Sequence, residues 1–267
     1  MKVAIIIPAR FASTRLPGKP LIEIAGQTML QRVVGVALSA AKQYGGLEIC
    51  VATDDTRIAT HCDALGVSWI MTPPECQTGS DRVEMAVRQL KSEPELIINL
   101  QGDAPFTPPS MITKLIESFR TEPTDVVTPV VQLSWTQLDM LREHKKTTPF
   151  SGTCAVFHPS TGRAFWFSKN VIPAIRNEAS LRTSGPLSPV YRHVGIYGYQ
   201  RSMLSRFVAL PQGYWESLEG LEQLRILENG YHIRCVPVSV DGEQSLSGID
   251  SAEDVDRAVA YCRSQPS

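Results

Sequence analysis

The regular alternation of short apolar runs with amphipathic segments constrains the fold of this chain more than any other feature. Helical periodicity lies at residues 28–43, 55–65 and 80–90. Runs typical of buried strands lie around these segments, at residues 3–8, 48–52, 67–71 and 96–100. Such alternation is typical of right-handed βαβ units on a parallel sheet. We therefore predict an α/β fold with a mostly parallel, Rossmann-like sheet flanked by helices.

Three of the predicted strands end in polar segments, at residues 8–19, 52–55 and 101–103. In open sheets of parallel strands, ligands bind beyond the carboxyl ends of the strands. The three segments are therefore expected to converge on one rim of the sheet and to form the functional site there.

The first of these segments is cationic. It contains Arg10, Arg15 and Lys19, and no carboxylate occurs in residues 1–22. Neither G-x-x-x-x-G-K-[ST] nor G-x-G-x-x-G is present, so the P-loop hydrolase and dinucleotide dehydrogenase interpretations lose their main support. Proline, glycine and small residues let backbone N–H groups approach a phosphate, and arginine adds forked contacts. The segment predicts a polyphosphate site.

The composition narrows the class of partner. The chain of 267 residues carries 26 Lys plus Arg against 27 Asp plus Glu, which argues against nucleic acid or an anionic membrane as its main partner. Its six cysteines include no C-x-x-C pair, so we expect free thiols in a reducing compartment. With no signal peptide or membrane span apparent in the sequence, we expect a cytoplasmic protein.

The later part of the chain alternates less regularly and predicts a smaller, mixed lobe at about residues 125–200, embedded in a single domain of residues 1–267. We expect a helix at residues 134–145 and a surface loop at residues 177–189, which is rich in Ser, Pro and Gly. Strand-like runs lie at residues 125–131, 153–157, 164–168 and 192–200.

Two further helices are predicted near the C-terminus. The first follows a stripe of leucines with Ser217 as its cap, and the stripe consists of Leu218, Leu221, Leu224 and Leu227. A strand at residues 231–238 comes next. The last helix begins at Ser251, which forms a potential capping box with Asp254.

The segment P-A-R-F-A-S-T-R-L-P-G-K-P-L, residues 8–21, resembles the signature of the 3-deoxy-manno-octulosonate (Kdo) cytidylyltransferases, also called CMP-Kdo synthetases. The likeness continues in the family's order, at residues 51–54, 77–82, 101–103, 167–169, 192–199, 221–225 and 248–250. It implies a nucleotidyltransferase sheet, transfer of CMP from CTP to an acidic eight-carbon sugar for lipopolysaccharide biosynthesis, and a homodimer. The anomeric hydroxyl of the sugar would attack the α-phosphate, and pyrophosphate would leave.

The resemblance also implies roles for individual residues. Catalytic roles fall to Arg10, Lys19 and Asp103, and Mg²⁺ would be held by Asp103 and Asp250. Taken alone, Asp250 is more typical of a helix N-cap. Asp103 stands at the end of an apolar run of strand length, and that position suits a rigid metal ligand. The nucleotide-binding residues implied are Pro8, Ala9, Arg10, Ser13, Arg15, Lys19, Thr53, Asp54, Gln77, Thr78, Gly79, Arg82, Gln101 and Gly102. The acceptor-binding residues implied are Lys169, His193, Tyr197, Glu222 and Gln223.

Two departures from the family pattern keep the acceptor open. Lys169 stands where the family usually has arginine, and Ala104 stands where it usually has glutamate. Because a lysine does not make the forked carboxylate contact of an arginine, 8-amino-Kdo or another sugar acid such as a sialic acid stays an alternative acceptor. Sialic acid cytidylyltransferases and sugar-1-phosphate nucleotidyltransferases normally have other sequences in the segment that follows the first strand. A nucleotide-binding regulator without chemistry is disfavoured because both Asp103 and Asp250 are present.

Overall fold

The apolar run at the start of the chain forms strand β1 (Val3–Ala9), which is buried along nearly its whole length. The computed structural model describes residues 1–12, 16–239 and 248–264. After β1 the chain makes a short 3₁₀ turn, Lys19–Leu21. The further strands are β2 (Glu23–Ile24), β3 (Gln27–Thr28), β4 (Glu48–Thr53), β5 (Trp69–Met71), β6 (Leu96–Asn99), β7 (Val126–Ser134), β8 (Thr153–Phe157), β9 (Ala164–Ser168), β10 (Leu187–His193), β11 (Tyr197–Gln200) and β12 (Ile233–Pro237).

Helices separate most of these strands. They are α1 (Met29–Tyr44), α2 (Thr56–Leu65), α3 (Gly79–Val87), α4 (Pro109–Thr121), α5 (Trp135–His144), α6 (Glu178–Ser184), α7 (Arg201–Ala209), α8 (Tyr214–Glu219), α9 (Gln223–Glu228) and α10 (Ala252–Ser264). Within the described residues, no helix is long and apolar enough to cross a membrane.

One sheet of ten strands organises the molecule, in the order β5-β4-β1-β6-β11-β7-β10-β8-β9, with β12 also paired to β7. The strands from β5 to β6 are parallel, whereas β11, β10, β8 and β9 pair in antiparallel fashion. The α/β prediction is confirmed, with parallel pairing in the first half of the sheet and mixed pairing in the second. The division into one domain with an embedded lobe stays a prediction.

Buried side chains cover both faces of this sheet. Ile5 and Ile7 of β1 belong to one apolar cluster, whereas Ala4 and Ile6 belong to the other. A strand that is apolar on both faces reads as a continuous hydrophobic run, which is why β1 was recognisable in the sequence. Its carboxyl end lies beside that of β4, with Ala9 opposite Thr53. The predicted rim therefore exists.

The expected single strand at residues 192–200 is interrupted at residues 194–196, between the end of β10 and the start of β11. Both strands run antiparallel along the same side of β7, and β12 lies along its other side. The interruption lies beside Thr128, whose hydroxyl donates to the Ile196 carbonyl at 2.8 Å. The sequence pattern did not reveal this interruption.

The expected surface loop at residues 177–189 is also wrong: it contains α6 and the start of β10. Glu178 accepts hydrogen bonds from Arg142 of α5, at 2.8 Å to each carboxylate oxygen. Arg182 binds Asp139 of α5 and stacks over the Trp135 ring at 4.6 Å. These contacts join segments distant in sequence, so the local Ser, Pro and Gly content was misleading.

The leucine stripe forms two helices rather than one. Gly220, at φ +64°, ends α8, and Leu218 is 58% exposed instead of joining the core. Ser217 does not cap a helix, because its hydroxyl donates to the Tyr214 carbonyl. A bidentate ion pair between Arg225 and Glu216 holds the two helices together. The capping box of Ser251 and Asp254 at the start of α10 is confirmed.

Candidate functional site

Lys19, at the end of the cationic segment, lies beside the same cavity as Pro8 and Ala9 at the end of β1. The Gly18 N–H donates to the Phe11 carbonyl at 3.0 Å, and Gly18 has φ +68°, a left-handed conformation that favours glycine. The Arg57 guanidinium stacks over the Phe11 ring. Arg10 lies exposed at the mouth of the site. Ser13 and Arg15 lie outside the described residues.

Lys19 lies between the two carboxylates that were predicted to bind metal. Its Nζ donates to Asp103 Oδ2 at 2.7 Å and to Asp250 Oδ1 at 3.0 Å. The Ile249 N–H also donates to the Asp103 carbonyl at 2.9 Å. The structure therefore brings together Asp103 and Asp250, which are far apart in sequence, around one ammonium group.

The donor set at this place fits Mg²⁺. Magnesium takes one or two carboxylates from a protein and completes its octahedron with water and substrate oxygens. Asp103 and Asp250 supply two carboxylates, whereas no cluster of three or more His, Cys, Asp or Glu suited to a metal occurs among the residues that the structure describes. Two carboxylates would leave the remaining ligand positions of the ion to water and to substrate oxygens.

A cavity of about 320 Å³ adjoins Lys19 and the two carboxylates. The turn after β6 closes one side of it. A Cβ atom on Gly102 would lie 2.5 Å from the Pro8 carbonyl oxygen, so only glycine fits there. The predicted nucleotide and metal residues that line the cavity are Pro8, Ala9, Arg10, Lys19, Gln77, Thr78, Gly79, Arg82, Gln101, Gly102, Asp103 and Asp250.

Helix α3 points its first turn at this cavity. Thr78 and Asp81 form a capping box, in which the Thr78 hydroxyl accepts from the Asp81 N–H at 3.1 Å and Asp81 accepts from the Thr78 N–H at 2.9 Å. The box fixes the turn that carries Gln77 and Gly79. The positive end of the helix dipole adds to the charge of the cationic segment, which favours an anion in the cavity.

Arg82, Thr53 and Asp54 hold α3 against β4. The buried Arg82 guanidinium donates to Asp54 Oδ2 and to the Thr72 hydroxyl, both at 2.6 Å. The Thr72 hydroxyl in turn donates to the Thr53 carbonyl at 3.0 Å. Thr53 and Asp54 do not line the cavity themselves. Their contacts favour a positioning role for Arg82 over a direct phosphate contact.

The predicted acceptor residues form a second group on the neighbouring part of the sheet. The Tyr197 hydroxyl donates to Gln223 Oε1 at 3.0 Å. The His193 ring packs against Phe167 at 5.0 Å and Tyr197 at 5.5 Å between centroids. Four elements, β9, β10, β11 and α9, therefore contribute to one cluster.

His193 is held neutral within this group. Its Nε2 lies 2.8 Å from the Thr128 hydroxyl, which uses its single hydrogen for the Ile196 carbonyl, so Nε2 carries the proton and donates. Burial, together with the positive charge of Lys169, lowers the pKa of His193 to about 3. The ring is thus a hydrogen-bonding group at neutral pH and not a cation.

Glu222 connects the predicted acceptor residues to the first turn of α3, which borders the cavity. The Ser80 hydroxyl, on the first turn of α3, lies 3.2 Å from both Glu222 oxygens. Burial raises the pKa of Glu222 to about 7, against the smaller opposite effects of Ser80 and Arg225. The contact was not predicted, because nothing in the sequence indicates that these positions meet.

Lys169 lies at the end of β9 beside Glu219, another residue that sequence reasoning missed. Glu219 accepts from the Ser168 hydroxyl at 2.7 Å and from the Lys169 N–H at 2.8 Å. Burial lowers the pKa of the Lys169 amine, and the Glu219 charge opposes that shift. Lys169 is therefore a half-buried cation within reach of His193.

Comparison with known proteins points to one family. The family profile described as "Cytidylyltransferase" matches residues 4–234. The 3-deoxy-manno-octulosonate cytidylyltransferase of Maricaulis maris is 42% identical over 258 residues, covering 96% of this chain and 95% of the relative. The 8-amino-3,8-dideoxy-manno-octulosonate cytidylyltransferase of Shewanella woodyi is 38% identical over 256 residues, covering 96% of both chains.

A solved structure agrees with these relatives. CMP:2-keto-3-deoxy-manno-octonic acid synthetase complexed with CTP superposes with a TM-score of 0.83 at 33% identity, covering 98% of this chain and 99% of that one. A cytidylyltransferase from Leptospira borgpetersenii, at 17% identity and a TM-score of 0.62, shares the fold.

Proposed function

Because the chain belongs to the cytidylyltransferase family, we propose that it transfers CMP from CTP to Kdo, giving CMP-Kdo and pyrophosphate. The contact between Ser80 and Glu222 carries the proposal, because it joins the first turn of α3, whose Gly79 lines the cavity that suits a nucleotide, to the group that suits a sugar acid. The relatives named for the same activity, which match nearly the whole chain, support it. With CTP in the cavity and the sugar acid in the acceptor group, the two substrates would lie side by side, as a direct transfer requires.

The residues around the cavity suit phosphoryl transfer without a covalent enzyme intermediate. Arg10, Lys19 and the first turn of α3 present positive charge to the triphosphate. The anomeric hydroxyl of Kdo attacks the α-phosphate, the bond to the β-phosphate breaks, and pyrophosphate leaves. Negative charge grows on the phosphoryl oxygens, so catalysis rests on positioning and electrostatic stabilisation.

We propose Mg²⁺ as the cofactor, held by Asp103 and Asp250. When bound, it would neutralise phosphate charge and help to orient the triphosphate. The chain itself supplies Lys19, which already pairs with both carboxylates. In this proposal the phosphates of CTP attract the Lys19 ammonium and leave the two carboxylates to the metal.

The acceptor group supports a sugar acid. The group contains the polar side chains of His193, Tyr197 and Gln223. Lys169 supplies a cation for the carboxylate of the sugar acid. We propose Kdo rather than its 8-amino analogue as the main acceptor. Relatives named for each substrate match this chain, so steady-state turnover of Kdo and 8-amino-Kdo at equal concentration tests the choice. Faster turnover of 8-amino-Kdo would refute it.

We further propose that the protein acts as a cytoplasmic homodimer in lipopolysaccharide biosynthesis, with the interface within residues 125–200. Exposed apolar side chains in that segment, among them Phe150 and Phe165, support this location. Light scattering of the purified protein tests the assembly. A monomer at micromolar concentration would refute the dimer and leave the chemistry unaffected.

Pyrophosphate release measured with CTP, Kdo and Mg²⁺ tests the reaction itself. We expect release that requires all three components and falls sharply when UTP replaces CTP. The absence of release with Kdo, 8-amino-Kdo and sialic acid alike would refute the proposed reaction. Equal use of UTP would show that the residues lining the cavity, Gln77 among them, do not distinguish cytosine from uracil.

A further inference from the structure

The side chain of Lys145 ends in a cage of main-chain oxygens. Its Nζ donates to the carbonyls of Lys169 at 2.5 Å, Gly152 at 3.2 Å and Pro149 at 3.3 Å, and also to that of Ser151. An ammonium group has three hydrogens, so these four acceptors saturate it. Lys145 follows the last residue of α5.

The cage joins three segments that border the acceptor group. The end of α5 contributes the ammonium, residues 149–152 lead into β8, and Lys169 directly follows β9. Cys154 of β8 pairs with Ser168 of β9, so the two carbonyl-bearing segments lie side by side. The ammonium therefore fixes the main chain from which the Lys169 side chain extends.

The position of Lys145 has an electrostatic cost that an exposed lysine avoids. Burial lowers the pKa of the Lys145 amine, and the nearby cations Lys169 and Arg192 lower it further. The neighbouring Lys146 shows the usual state of a surface lysine, with its side chain 70% exposed and paired with Glu143. An apolar side chain at residue 145 would avoid this electrostatic cost.

The charges around Lys145 suit an anionic ligand. Lys169 and Arg192 both lie close enough to lower the pKa of Lys145, and the Glu219 carboxylate opposes the lowering of the pKa of both lysines. The Arg192 guanidinium lies against Gly152, whose carbonyl accepts from Lys145. The positive charges of Lys145 and Lys169 repel one another, and an added carboxylate would reduce that repulsion.

We propose that Lys145 is a positioning residue for the acceptor: it fixes Lys169 and adds positive potential for the carboxylate of the sugar acid. The inference rests on the proposed function and extends it to the residue that follows α5, outside the acceptor group already described. A purely structural lysine would affect stability and both substrates alike. A positioning residue affects the acceptor alone.

The test is a comparison of Lys145→Met with the matched control Lys146→Met. In Lys145→Met we expect the KM for Kdo to rise about tenfold, equivalent to about 1.4 kcal/mol of binding free energy, and the KM for CTP to stay within about twofold of the wild-type value. Lys146→Met is expected to match the wild-type protein for both substrates. Lys145→Arg keeps the charge but not the shape of an ammonium, so its KM for Kdo should fall between those of the wild type and Lys145→Met.

The outcomes separate this inference from the proposed function. If the wild-type protein does not turn over Kdo, the proposed function fails. If it does, and Lys145→Met changes the KM for both substrates equally or for neither, the positioning role is refuted. If Lys145→Met does not fold, as judged by circular dichroism, Lys145→Arg decides: an unchanged KM for Kdo refutes the inference, and a selective rise supports it.

Discussion

At the scale of single residues, the contact of Lys19 with Asp103 and Asp250 shows why two aspartates distant in sequence act together. Each carboxylate is held near the other by a shared ammonium, at 2.7 and 3.0 Å. Without a cation between them the two carboxylates would repel one another. A cation between them, Lys19 or a metal ion, therefore stabilises their arrangement.

We predict that Asp103→Asn and Asp250→Asn each fold and lose most of their turnover, by about a hundredfold or more. Each change keeps the size of the side chain and removes one carboxylate from the proposed metal site. Circular dichroism checks the fold, and pyrophosphate release over a range of Mg²⁺ concentrations checks the turnover. Normal Mg²⁺-dependent activity in either variant would overturn the assignment of that aspartate.

Glu222 predicts a measurable pH dependence of stability. Its folded pKa of about 7 lies above the value of 4.5 for an exposed carboxyl group. The folded protein therefore binds the proton more tightly, and the resulting stability is complete below about pH 4.5 and is lost as the pH rises through about 7. Asp81 of α3, Tyr197 and Tyr199 of β11, and Glu216 and Arg225 of the α8–α9 pair surround it.

Glu222→Gln should remove that loss. Between pH 5 and pH 8 we expect the unfolding free energy of the wild type to fall by on the order of 2 kcal/mol more than that of Glu222→Gln. Urea unfolding at a series of pH values measures the difference. The exposed Glu93→Gln serves as the control and should follow the wild type. Parallel curves for the wild type and Glu222→Gln would contradict the raised pKa.

At the scale of elements, the turn after β6 depends on how closely it approaches β1. A methyl group on Gly102 would meet the Pro8 carbonyl oxygen at 2.5 Å, and main-chain atoms cannot move aside as a flexible side chain does. We predict that Gly102→Ala displaces the turn that carries Asp103 and lowers turnover at least tenfold. Gly35→Ala is the matched control, because nothing lies within 4 Å of its added carbon.

Gly35 lies in the exposed interior of α1, so its replacement should stabilise the protein by up to about 1 kcal/mol. Thermal unfolding and pyrophosphate release on both variants separate the two effects. Equal activity in Gly102→Ala and the wild type would show that the turn does not depend on this contact.

Elements defined by local chemistry were predictable from the sequence, and elements defined by distant contacts were not. The helix starts at Thr28, Asp55 and Ser134 follow from side chains that bind the next turn of the chain. Helix α6 depends on Arg142 of another helix, and no local pattern reports such a partner.

The same distinction applies to the site. The rim of β1, β4 and β6 follows from the alternation of strands and helices, so the position of Asp103 was predictable. The approach of Asp250 to Asp103 and the cage around Lys145 depend on how the end of the chain and α5 pack against the sheet. The family resemblance indicated Asp250, but neither composition nor periodicity indicated Lys145 or Glu219.

At the scale of the whole molecule, strand β7 joins the two halves. It pairs with β10 and β11 on one side, and with β12 on the other. The apolar clusters also span both halves: Ile5 of β1 shares a cluster with Val131 of β7, and Ile6 of β1 shares one with Phe167 of β9. The cavity beside Lys19 and the acceptor group therefore share one continuous apolar core.

This continuity predicts that the protein unfolds in one cooperative transition, with no separate unfolding of residues 125–200. Trp69 and Trp166 report on opposite edges of the sheet, since β5 and β9 are its outer strands. Two variants each keep one of these tryptophans and have phenylalanine in place of the others. In each variant we expect tryptophan fluorescence and circular dichroism to give the same urea midpoint. If the Trp166 signal changed at a lower urea concentration than the circular dichroism of the same variant, the lobe would unfold on its own, and its contacts with β1 would contribute little to its stability.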